Sequence, residues 1–142
     1  MKLVKHLLDS KGTEIISITE EASVLDAIKI MAKRSIGSLL VMEDGELKGI
    51  VTERDYARKV IVKGRSSKST QVHEIMTAEV CTARTDQTVN DCMTVMTKRR
   101  IRHLPVVEGN EVIGMISIGD LVQAIIADQQ EEIQQLEQYI SG

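Results

Sequence analysis

The chain has 142 residues, 42% of them apolar and 27% charged, with a formal net charge of −3 at pH 7. That balance fits one domain or two very small ones and excludes a disordered chain. With two Tyr and no Phe or Trp, recognition by base stacking has no platform. The charge gives no bulk attraction to nucleic acid or anionic lipid. No apolar run reaches the roughly 20 residues of a spanning helix. Residues 1–10 alternate apolar and charged side chains without a signal-peptide core, and Cys81 and Cys92 alone make no disulfide framework. A soluble, cytoplasmic protein with an aliphatic core is expected, acting on neither nucleic acid nor membrane.

In chain order, Glu14–Ile18 is a short β-rich run, and Ser23 reads as an N-cap with Asp26 three residues later. The stripe Val24, Ala27, Ile28, Met31 then has helical spacing. Ser38–Met42 is an apolar strand, Glu43-Asp44-Gly45-Glu46 a four-residue turn, and Leu47–Val51 a second strand. Thr52 caps a helix reaching about Lys63, and Gly64–Thr70 is a polar, small-residue linker. At an offset of 65 the order β-α-β-β-α returns: Glu14–Ile61 matches Glu79–Ile126 without a gap, with identities such as Met31/Met96, Ile36/Ile101, Gly49/Gly114 and Asp55/Asp120. The last helix continues through Gln129–Tyr139 with Ile126, Ile133, Leu136 and Ile140 along one side, as a strap over the protein's own surface or a dimer contact. The expected division is residues 1–64 and 72–127 as two repeats, 65–71 as linker and 128–142 as a helical tail. Each half buries too little surface alone, so an α+β (α/β sandwich) fold is expected, with two repeats packed around a pseudo-twofold axis.

Both halves carry a Gly-apolar-apolar-hydroxyl-x-x-Asp corner, Gly49 to Asp55 and Gly114 to Asp120. One reading is a capping box alone, since Ser23/Asp26 and Thr88/Asp91 share the hydroxyl-to-acid spacing. The other is a ligand site. A strand entering a helix presents N–H groups and a hydroxyl to an anion, and a carboxylate one turn in holds a ribose diol.

A tandem of β-α-β-β-α repeats, each ending in this corner, resembles the cystathionine-β-synthase (CBS) domain pair, or Bateman module. Arg100-Ile101-Arg102-His103-Leu104-Pro105-Val106-Val107 is similar to that family's strand-entry motif, and the resemblance covers residues 1–127. It implies a regulatory, non-enzymatic sensor of adenosyl ligands: AMP, ADP, ATP, NAD(H) or S-adenosylmethionine. It also implies that Asp55 and Asp120 meet ribose hydroxyls and that Thr52 and Ser117 lie near phosphate. Adenine would lie against the backbones of Ile15, Ile16 and Ile18 and of Val80, Cys81 and Ala83. Ser38, Leu39 and Leu40 in one half, and His103, Leu104 and Pro105 in the other, would complete those walls. The first repeat lacks the basic pair and the His-Leu-Pro of the second, so the two clefts are expected to differ.

Lys98-Arg99-Arg100-Ile101-Arg102-His103 concentrates positive charge. Lys98 and Arg99 suit a helix C-terminus, whereas Arg100, Arg102 and His103 enter the second strand and are candidates for phosphate contacts. No metal-ligand spacing, phosphate-binding loop or nucleophile–base pair is present. The expected partners are an adenosyl ligand, a second copy in a homodimer and a protein effector. The rival readings are a small nucleotide-using enzyme and a ligand-free dimerisation module.

Overall fold

The computed structural model describes residues 2–141. Its elements are α1 (Val4–Lys11), β1 (Ser17–Ile18), α2 (Val24–Arg34), β2 (Ser38–Glu43), β3 (Glu46–Thr52), α3 (Glu53–Tyr56), α4 (Val89–Arg99), β4 (His103–Glu108), β5 (Glu111–Ser117) and α5 (Ile118–Ser141). The fold is α+β, as expected. The chain forms two compact units, Ile15–Cys81 and Met1–Glu14 together with Thr82–Gly142. Residues 2–14 thus fold with most of the second repeat, and residues 72–81 fold with the first.

In the first-repeat unit, Ser23 Oγ accepts the Asp26 N–H at 3.1 Å and starts α2, whose Val24, Ala27 and Met31 are buried. Strand β2 pairs parallel with β1 and antiparallel with β3. The β2–β3 turn has two residues rather than four. Glu43 and Glu46 are register partners, and Asp44 and Gly45 between them have φ of 50° and 80°, the two left-handed positions of a type I′ hairpin. After α3 the helix widens into a π-helical turn, Ala57–Ile61, instead of continuing regularly to Lys63. The expected linker is folded. Thr70 and Val72 are buried, Val24 N–H donates to Thr70 O at 2.8 Å, and Val72 N–H donates to Ala22 O at 2.8 Å.

The second-repeat unit repeats this plan with a different first strand. Residues 80–83 form no strand; Ala83 alone bridges in parallel to Val106. Thr88 caps α4, and β4 pairs antiparallel with β5. Helix α1, which the alternating residues 1–10 did not announce, buries Val4, Leu7 and Leu8. Its entry mirrors the folded linker: Val4 N–H donates to Gln87 O at 2.9 Å and Val89 N–H to Lys2 O at 3.0 Å. Helix α5 runs unbroken for 24 residues. Its Ile133, Leu136 and Ile140 are exposed, so the tail is no strap over this chain's own surface.

The corner glycines follow from these closures. A Cβ on Gly49 would lie 2.7 Å from Met76 Sδ and 2.8 Å from Thr77 O, and one on Gly114 would lie 2.6 Å from Leu8 Cδ2. The backbone that approaches each glycine, or the side chain that covers it, is therefore the chain's own. Gly49→Ala meets a backbone carbonyl held in a bridge to Ile50, whereas Gly114→Ala meets the end of a leucine. Overpacking of this kind costs about 1–3 kcal/mol, and Gly49→Ala is expected to lose more stability than Gly114→Ala in urea denaturation. Equal losses would show that both contacts yield alike.

Candidate ligand site

Each corner places a hydroxyl, a carboxylate and a strand pair together within one unit. In the first-repeat unit Ser38 and Thr52 are register partners. Thr52 N–H and Oγ1–H donate to Asp55 Oδ2 at 3.0 and 3.1 Å, and Asp55 N–H returns a bond to Thr52 Oγ1 at 3.1 Å. Lys59 Nζ lies 3.1 Å from Asp55 Oδ1 and donates to Ile75 O at 2.8 Å. In the second-repeat unit His103 and Ser117 are partners. Ser117 N–H donates to Asp120 Oδ2 at 2.7 Å, and Asp120 N–H to Ser117 Oγ at 3.2 Å. Lys11 Nζ, from α1, donates to the same Oδ2 and to Met115 O, both at 2.6 Å. Both hydroxyl–acid pairs are therefore complete capping boxes, and each carboxylate also holds a lysine that the sequence did not point to.

The other candidates divide. Leu39 and Leu104 are core side chains, as are Ile18 and Ala83, so only their backbones are available to a ligand. Even those backbones are engaged in part: Leu40 N–H donates to Ile16 O at 3.3 Å, and Ala83 N–H to Pro105 O at 2.8 Å. Ile15 and Ile16 are half-buried. Val80 and Cys81 fall at the end of the first-repeat unit, and only Ala83 of that trio shares a unit with β4. Arg100 is the left-handed C-cap of α4, with φ of 55°. Arg102 is exposed, and its carbonyl accepts Ile118 N–H at 2.9 Å at the base of α5.

Charge at the second corner is uneven. Burial opposes ionisation of Asp120, but the bond from Lys11, the Ser117 N–H, the Lys11 charge and the Ser117 hydroxyl together hold its carboxyl below the usual value. Burial pushes the His103 imidazole down from its usual range, and Lys11 and Arg102 push further, against the pull of Asp120. His103 is therefore neutral at pH 7. Elsewhere in this unit an open groove of about 620 Å³ runs between the start of α4 and α5, but Asp128, Glu131 and Glu132 line it and suit no anion. No group of potential metal ligands occurs among the described residues. Nor is any described helix long and apolar enough to cross a membrane.

Tandem βαββα-type units with a Thr/Ser-x-x-Asp corner define the class of paired-repeat modules, and the CBS domain family matches the chain at residues 4–62 and 72–127. The chain belongs to that family. It is 48% identical to the CBS domain-containing protein CBSX3, mitochondrial, of Arabidopsis thaliana, over 98% of this chain and 72% of that one. The solved structure of a Burkholderia ambifaria protein with CBS domains is 50% identical and superposes with a TM-score of 0.87, covering 90% of this chain and 96% of that one. The CBS domain pair of MJ0100, in complex with 5′-methylthioadenosine and S-adenosylmethionine, is 29% identical with a TM-score of 0.80, covering 90% and 98%.

The site carries a pH signature. His103 titrates lower folded than unfolded, so the unfolded chain binds the proton first and stability falls as pH drops through 6.5. Asp120 also titrates lower folded; its contribution is whole above the ordinary value of 3.8 and is lost as pH falls through the lower folded value. Thermal melting between pH 7.5 and 5 is expected to show a falling midpoint that His103→Gln flattens, leaving the more acid limb in place. Parallel curves for the two proteins would contradict this.

Proposed function

We propose that this protein is a non-enzymatic sensor that binds an adenosine-containing anion, AMP, ADP, ATP or NAD(H), and signals its presence to a protein partner. The observation that carries the reading is the duplicated corner, in which a carboxylate able to hold a ribose diol stands one turn from a strand-to-helix junction. Adenosyl ligands in the related MJ0100 pair support the class. The cations Lys11 and Arg102 around the second corner, with the neutral His103 as a hydrogen-bond donor, support an anion rather than a sulfonium such as S-adenosylmethionine. Binding that favours one arrangement of the protein over another shifts its population, and that shift is the signal. Cys81 and Cys92 are free thiols, which suits a reducing compartment such as the cytoplasm.

A second reading has its own observation. Both aspartates already complete capping boxes and ion pairs, which is all that a ligand-free dimerisation module needs of them. Calorimetry separates the two. Under the sensor reading AMP binds at least tenfold more tightly than adenosine and also more tightly than 2′,3′-dideoxy-AMP, since one charge-assisted bond is worth about 1.5–3 kcal/mol. Asp120→Asn keeps a good cap yet loses the charged acceptor, so affinity is expected to fall about tenfold while the apo melting temperature barely moves. Asp55→Asn reports the other corner. Melting temperatures that collapse in both variants, with the AMP-induced shift intact, would make these residues caps only. Metal-dependent loss of phosphate from bound ATP would instead establish an enzyme.

A homodimer is part of the same reading. Val60 and Leu121 are fully buried within the chain, but Ile61, Val62, Val122 and Ile126 are exposed. Uncovered aliphatic side chains of this kind mark an association surface. Sedimentation is expected to give twice the 15.8 kDa chain mass; a monomer, or a larger assembly, at tens of micromolar would overturn the dimer.

A further inference from the structure

The two corners are alike in backbone and differ in what remains open on their carboxylates. Asp55 has both oxygens engaged: Oδ2 takes the Thr52 N–H and hydroxyl, and Oδ1 takes Lys59. At Asp120, Oδ2 takes both Ser117 N–H and Lys11 Nζ. No bond from a described residue reaches Oδ1, and the side chain is 22% exposed. Lys11 uses two of its three N–H donors, on Asp120 Oδ2 and Met115 O, and a third remains. An acceptor oxygen and an ammonium donor thus stand side by side, with Arg102 close enough to bear on the same corner through His103.

The two lysines also come from unrelated positions. At the repeat offset of 65, Lys59 corresponds to Ala124 and Lys11 to Met76, so the duplication does not account for the ammonium at both corners. Holding a lysine in one geometry costs side-chain entropy, and exposed ion pairs return little. Lys11 is 38% exposed.

We infer that Lys11 is a ligand-binding residue: it recognises the anionic group of an adenosyl nucleotide whose ribose diol takes Asp120 Oδ1. This assignment rests on the sensor reading above. It makes the second-repeat unit the nucleotide-selective one and gives helix α1, outside the repeated corner, a part in recognition. The ammonium keeps its bond to Oδ2 and turns its free N–H to the phosphate, so binding requires no break in the cap.

The test is calorimetric titration of AMP and of adenosine into the full chain, as wild type, Lys11→Met, Lys11→Arg and Lys59→Met. Lys11→Met keeps an aliphatic stem and is expected to weaken AMP at least tenfold while changing adenosine less than threefold. Lys11→Arg restores most of the preference for AMP, and Lys59→Met leaves AMP affinity within threefold. An NMR titration of His103 supplies a readout without ligand: its pKa rises in Lys11→Met, because an adjacent positive charge is gone. Lys11→Met weakening both ligands equally, or neither, overturns the assignment, as does an equal AMP loss in Lys59→Met. Wild-type protein that binds neither AMP nor adenosine overturns the sensor reading itself, and is told apart because the variants are then not needed.

Discussion

The corners depend on being closed by a segment that does not belong to their own repeat. Residues 70–77 bond to the start of α2 and bridge Ile50 in the first-repeat unit. Residues 2–11 do the same work for α4 and β5 in the second. At the first corner the closing backbone leaves no space for a Cβ on Gly49, and at the second a Cβ on Gly114 would have to displace the end of Leu8. The strand can then turn straight into a helix, and the first N–H groups of that helix must find acceptors locally. The Thr/Ser-x-x-Asp box meets that demand, so the residues best placed to hold a ligand are also the ones that terminate the strand. Stability and recognition therefore share the same atoms here, and a substitution that separates them has to keep the cap while changing the charge.

Where closure differs, chemistry differs. In the first-repeat unit the carbonyl of Ile50 accepts the Thr77 N–H at 2.9 Å. The matching carbonyl, Met115 O, accepts an ammonium instead. A backbone donor is fixed and neutral, whereas Lys11 is charged and has capacity to spare. That exchange places a positive charge beside His103, where it adds to the burial that already depresses the imidazole.

Local signals in the sequence were sufficient for much of this architecture. Helices α2 and α4 follow from Ser23/Asp26 and Thr88/Asp91 with their apolar stripes, and the hairpins from two continuous aliphatic runs around a turn. The duplicated corner was legible because a strand, a glycine, a hydroxyl and an acid are contiguous. What was not legible is non-local. Lys11 and Asp120 are 109 residues apart, and no periodicity joins them. Helix α1 buries only Val4, Leu7 and Leu8, too short a stripe to stand out among charged neighbours. Residues 80–83 have strand-like composition but only one bridge to β4, and a strand exists only where a partner offers its ladder. The π-helical turn after α3 left no mark in the sequence pattern.

The interleaving of the two units also sets an order of events during synthesis. The stretch 15–81 is contiguous, so that unit is complete as soon as it leaves the ribosome. Residues 2–14 are made before it, yet their apolar face has no partner until β5 emerges, about a hundred residues later. At the usual rates of translation that delay is on the order of 5–20 s. During it, an amphipathic segment stays tethered to a finished unit with Val4, Leu7 and Leu8 uncovered. The unit that carries the richer chemistry thus forms after its neighbour, and it forms only by recapturing helix α1 from before that neighbour.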